Sequence, residues 1–223
     1  MRRILNILIL ILTFTSCETY EEQERSENLK IYSDHFKELR SEENFEIIKI
    51  DSFQNFKDLT SVMGEFSCQE KISGINFNYD KKEYFLTGFS ECPTFNGVAC
   101  YFRRNTIIIK NDSIVTDLYK KEKAPIEDLG IELEKIISKQ QNFKYKQQIL
   151  KPALIHLYID ENQNIKKTKK VLKEIVENFK KINSSQKTNF FEYNILFENF
   201  DRTNFPLPPP PPPIPVESSI ENP

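Results

Sequence analysis

Apolar and polar positions recur with different periods along this chain, and each change of period marks an element. From Ser26 onward, Leu29, Tyr32, Phe36 and Leu39 fall at helical spacing, which predicts a helix. The β-branched run FEIIKI at 45–50 predicts a strand. Ser52 is placed to cap a second helix, with Phe53, Phe56 and Leu59 along one side and Gly64 at its end. A period of two then takes over. Ile75, Phe77 and Tyr79 alternate, DKK turns the chain, and EYFLTGF returns. The loop ECPTFNG leads into VACYFRR, and TIIIKNDSIVTDLY reads as a hairpin with Asn111-Asp112 as its two-residue turn.

Helical spacing returns at Pro125, a residue suited to a first turn, with Ile126, Leu129, Leu133, Ile136 and Ile137 on one face. The last third reads as strand, helix, strand. Ile155, Leu157 and Ile159 alternate with His156, Tyr158 and Asp160. Ile165, Val171, Leu172, Ile175, Val176, Phe179 and Ile182 then form an apolar stripe, with lysines on the rest of the helix. Phe191, Tyr193, Ile195 and Phe197 alternate against Glu192, Asn194 and Glu198. If these two strands are neighbours, a right-handed parallel crossover joins them. The fold class expected is α+β: an antiparallel meander with flanking helices, followed by a strand–helix–strand unit.

The two ends depart from this pattern. MRRILNILILILTFTSC opens with two arginines, continues with an apolar run from Ile4 to Leu12 and ends in small and polar residues, the layout of a secretory signal. The apolar run is too short to span a bilayer, which takes about 20 helical residues. FTSC at 14–17 resembles the lipobox of bacterial lipoproteins, over these first residues only. That resemblance implies cleavage before Cys17 and a thioether-linked diacylglycerol on its sulfur. Phe14 stands where the family prefers Leu. Acyl chains anchor a protein at about 0.8 kcal/mol per buried methylene. The run ETYEEQERSE that follows sets Glu18, Glu21, Glu22, Glu24 and Glu27 against Arg25. It reads as a self-repelling tether, and it also resembles the acidic export signals of Bacteroidota surface lipoproteins. At the other end, Pro208, Pro209, Pro210, Pro211, Pro212 and Pro213 form an unbroken proline run. It reads as a disordered tail, or as a preformed polyproline segment for an aromatic groove on a partner. The organisation expected is a signal peptide at 1–16, an acidic tether at 17–26, one α+β domain at 27–200 with a sub-boundary near 120–150, and a disordered proline-rich tail at 201–223.

Candidate chemistry is sparse. The chain has two histidines. His35 has no second ligand at metal spacing. His156 shares a strand face with Tyr158 and Asp160, and a His/Asp pair there could do acid–base work or bind a metal, but no third partner is visible. Without one, the face reads as the half-solvated side of a sheet. No P-loop, dinucleotide fingerprint or H-E-x-x-H is present, and Ser90 in GFSEC lacks the second glycine of a nucleophile elbow. No catalytic residue, metal site or cofactor is therefore assigned. Of the cysteines left after lipidation, Cys92 and Cys100 flank one loop and form the favoured disulfide, with a bridge involving Cys68 as the alternative. DSI at 112–114 resembles the O-glycosylation acceptor of Bacteroidota, which makes Ser113 a candidate attachment site. The lysine face of the long helix reads as solvated, since Glu174 and Glu177 interrupt it.

The formal net charge of -2 gives no basic field for nucleic acid. The function expected is that of a lipid-anchored, noncatalytic protein of the envelope or outer membrane, periplasmic or surface-exposed. Its partners would be the membrane, through its anchor, and another envelope protein. The alternative is a ligand-binding or transport-accessory lipoprotein, which requires a large apolar pocket.

Overall fold

The computed structural model describes residues 29–94, 106–138, 150–185 and 191–204, with backbone alone for 150–153. Signal, tether, VACYFRR, Cys100 and proline run all lie outside the described residues. Within them the fold is mixed α/β, with four α-helices on a nine-stranded mixed sheet. The strands are β1 (Leu29–Tyr32), β2 (Phe45–Lys49), β3 (Ile72–Tyr79), β4 (Lys82–Phe89), β5 (Thr106–Lys110), β6 (Ser113–Asp117), β7 (Glu122–Pro125), β8 (Leu150–Tyr158) and β9 (Phe191–Phe197). The helices are α1 (Asp34–Leu39), α2 (Phe56–Cys68), α3 (Leu129–Ser138) and α4 (Ile165–Ser185).

The sheet order is β2-β3-β4-β9-β8-β5-β6-β7. β4, β9, β8 and β5 run parallel at its centre, and the hairpins β3–β4 and β5–β6–β7 flank them. The second edge of β4 is shared. β1 pairs with its first half in parallel, and β9 takes over at Gly88 and Phe89. The strand–helix–strand reading holds: β8 and β9 are parallel neighbours joined through α4.

Register builds the core in rows. Ser73, Gly88, Ile195, Ile155 and Ile107 stand side by side across five strands. This face, with Ile75, Phe77, Tyr84, Leu86, Leu157 and Phe197, is buried together with side chains of α2, α3 and α4. All seven apolar positions of the α4 stripe are buried, as its period requires. Gly88 has no side chain because Phe197 and the Ile195 carbonyl occupy the space: a Cβ would lie 2.5 Å from the ring and 3.0 Å from the oxygen. On the other face α1 sets Phe36 among the rings of Tyr32, Phe45 and Phe85.

Several expected boundaries move. Residues 29–32 form a strand rather than a helix. Ile31 is buried and Leu29 exposed, and Ser33 starts α1 by accepting the Phe36 N–H at 3.2 Å. α2 is capped by Asn55, not Ser52, which sits in a short 3-10 turn at Ile50–Ser52. It also runs through Gly64. That glycine serves close approach, because a Cβ there would meet the Glu91 carbonyl at 3.2 Å and Pro93 at 3.3 Å. Pro125 ends a strand instead of starting a helix, since β7 adds a third strand to the expected hairpin.

The lysine face of α4 is tied down by carboxylates. Lys167 reaches Asp112 at 3.8 Å, Lys169 reaches Asp51, Lys170 reaches Glu127 at 2.8 Å, and Lys173 lies between Glu174 and Glu177. Glu177 also accepts from Lys82 and from the Tyr84 hydroxyl. These pairs staple the helix to four segments distant in sequence, around Asp51, Lys82, Asp112 and Glu127. Individually, such exposed pairs contribute about 0–1 kcal/mol.

Candidate functional site

Four parallel strands end on one side of the sheet, and ligands of α/β sheets favour the crevice outside such carboxyl ends. Here the ends are Ser90 after β4, Glu198 after β9, Tyr158 on β8, and Lys110 on β5 with Asn111 just after it. Polar side chains concentrate at this edge, and most are paired with one another. The Ser90 hydroxyl donates to the Phe197 carbonyl at 2.9 Å. Asn111 and Asp160 exchange two hydrogen bonds: the amide of Asn111 donates at 2.9 Å, and its Oδ1 accepts the Asp160 N–H at 3.0 Å. Lys110 pairs with Asp201.

His156 is at the centre of this edge and is buried, 2% exposed. Its strand face is not the half-solvated side of the sheet. The row through it is Phe89, Leu196, His156, Ile108 and Val115, and both faces of the parallel centre are largely covered. Two residues beyond Leu196 on the same face of β9 comes Glu198, 1% exposed. His156 Nδ1 donates to Glu198 Oε1, and Arg202 Nε donates to the same oxygen. The other oxygen, Oε2, is buried and accepts no hydrogen bond.

His156 and Asp160 therefore do not converge. The histidine is held by Glu198, and the aspartate by the β5–β6 turn. The pairing that matters was legible only through register, which sets His156 opposite Leu196 and so next to Glu198. Arg202 lies in a short 3-10 turn that no periodicity announces.

Titration follows these contacts. Burial alone would raise the Asp201 carboxyl, but Lys110 and Thr203 outweigh it and hold it below its ordinary value. Lys110 is raised in return, chiefly by its hydrogen bond to Asp201. Burial, then the fields of Asp160, Asp201 and Glu161, push the Tyr158 phenol up.

A cavity of about 290 Å³ opens beside this network. Phe56, Lys57, Thr60, Ser61, Gly64 and Glu65 of α2 form one wall, and Pro93, Tyr158, Glu161, Glu198 and Asn199 form the other. A second cavity, about 360 Å³, is lined from β1, α1, α4 and β9 by Lys30, Ser33, Lys37, Lys180 and Tyr193. Both are small and partly polar.

The remaining sequence candidates fall elsewhere. Cys92 is bonded to Cys68, not to Cys100, with a Cα–Cα distance of 4.9 Å. The reason is the β3–β4 hairpin: it folds about Asp80-Lys81, and the two cysteines lie nearly symmetrically on either side of that turn. The Asn111-Asp112 turn is as expected, with Asn111 at φ 57°. Ser113 is half-buried and pairs with both Lys110 and Pro125, on a strand with neighbours at each edge. Among the described residues no group of three or more His, Cys, Asp or Glu is arranged to hold a metal, and no helix is long and apolar enough to cross a membrane. No family model, curated protein or solved structure matches the chain.

Proposed function

We infer that this chain is a lipid-anchored envelope protein, held at the outer membrane through Cys17, that works noncatalytically by docking to another envelope protein. The observation that carries the reading is the closeness of the lipobox-like FTSC to the folded domain. β1 begins at Leu29, so the tether lets the domain stand at most about 40 Å from its attachment point. β1 is thus the first described element after Cys17.

Docking is favoured over chemistry because His156, the best acid–base candidate in the sequence, is locked between the sheet and Glu198. A partner strand has a place to add. β2 pairs with β3 alone among the described residues, and Ile47 in its middle is 52% exposed. The proline run at 208–213, as a preformed polyproline segment, offers a second contact. The transport-accessory alternative calls for a large apolar pocket, and the two cavities described lie near the bottom of the ~300–1,000 Å³ typical of ligand sites.

Metabolic labelling with a fatty acid tests the anchor. Label is expected on the wild-type chain and absent from Cys17→Ala. Equal labelling of the two overturns the reading.

A further inference from the structure

The cavity at the carboxyl ends of β8 and β9 carries an inference independent of the anchored docking role. Its wall combines apolar surface from Phe56, Tyr158 and Pro93 with carboxylates from Glu65, Glu161 and Glu198. Lys57, the one cation among the described lining residues, is engaged with Glu161 at 3.1 Å. Behind the wall, Arg202 and His156 both use Glu198 Oε1, which leaves Oε2 buried and without a donor. A buried carboxylate oxygen in that state is unfavourable, and native proteins almost always supply such an atom with a donor. The surroundings select what kind of donor. Asp160, Asp201 and Glu161 make this edge a region of negative potential, the same field that acts on the Tyr158 phenol. Aromatic faces beside carboxylates suit a cation with an alkyl body.

We propose that this cavity binds a small organic cation, a primary ammonium or guanidinium group on a short alkyl chain. Its N–H groups donate to Glu198 Oε2, and its alkyl part lies against Phe56 and Tyr158. Glu198 then serves two sides at once: one oxygen fixes the sheet end through His156 and Arg202, and the other receives the ligand. Neither Glu65 nor Glu161 is buried, so they attract the cation without fixing it. Lys57 competes for Glu161 and tempers that attraction.

Calorimetric titration of the full chain in nonionic detergent tests this, with agmatine and butylammonium as probes and butyrate as the control. Both cations are expected to bind saturably and butyrate not at all. Ser61→Phe fills the cavity from an exposed position on α2 and is expected to abolish binding. Glu198→Gln is expected to weaken it roughly tenfold to a hundredfold, the range for losing a charged hydrogen bond. Lys57→Ala is expected to tighten it by releasing Glu161. Should Glu198→Gln fail to fold, Ser61→Phe decides, since it leaves the ion pairs intact. The proposal is overturned by no saturable heat from either cation up to ~20 mM, by equal binding of butyrate, or by cation binding that survives Ser61→Phe. The first of these outcomes would mean that water alone satisfies Glu198.

Discussion

Replacing both Cys68 and Cys92 by alanine is the most direct test of how the meander is held. The bridge spans a sequence separation of 24. In the chain-entropy account, opening such a loop costs about 3.5 kcal/mol at 25 °C. An unfolding entropy of about 2.1 cal/mol/K per residue over the 149 described residues makes that a fall of about 11 °C in Tm. The double variant is needed because a single one leaves a cysteine free to pair with Cys100. Thermal melts by circular dichroism measure the shift, and wild type in reductant should reproduce it. A tryptic map under non-reducing conditions checks the pairing, which should join the Cys68 and Cys92 peptides. A Tm change within ~2 °C, or a map joining Cys92 to Cys100, would refute the reasoning. The cysteine spacing itself favoured that second pairing.

Three further outcomes follow from the packing. Glu198→Ala removes the buried carboxylate that His156 and Arg202 share, so urea titration should show a loss of about 1.5–3 kcal/mol. Gly88→Ala drives a methyl group into Phe197 and the Ile195 carbonyl, and the same assay should show about 1–3 kcal/mol. Acid should destabilise the domain through Asp51, Glu177 and Asp201. Burial would raise each, but Lys169 and Asn78, Lys82 and Tyr84, and Lys110 and Thr203 respectively outweigh it and hold all three below their ordinary values. Groups whose folded values are depressed contribute stability above their unfolded values near 4, and lose it as pH falls through the folded ones. Tm should therefore hold above about pH 5 and drop below 4, with a shallower drop in Lys110→Met/Asp201→Asn; an unchanged slope in that variant would count against the pairing.

Periodicity located what local spacing controls. The α4 stripe, the strands on either side of it and the Asn111-Asp112 turn are where the apolar pattern puts them, because a buried helix face and a tight turn need only nearby residues. Residues 29–39 misled the pattern. Their spacing fits a helix, but pairing with β4 makes 29–32 a strand, a choice made by residues fifty positions away. His156 failed for the same reason. Alternation with Ile155 and Leu157 predicts a polar outer face, whereas β8 lies in the parallel centre of the sheet, where that face is covered too and His156 is 2% exposed. Its true partner, Glu198, was visible in the sequence as one more polar position of β9. Only the β8–β9 register turns that position into a contact. The disulfide was the nearest miss, since the hairpin turn at DKK was recognised and folding the chain there brings Cys68 and Cys92 together.

That symmetric closure has a topological consequence. The bridge and the backbone between its ends form a covalent ring that contains β3, the Asp80-Lys81 turn and β4. Lys81 is exposed in a left-handed backbone conformation at φ 60°, an accessible position for trypsin. A cut after it would not release either strand. The product would be a two-chain molecule whose halves stay joined at Cys68–Cys92, running as one band on a non-reducing gel and as two after reduction.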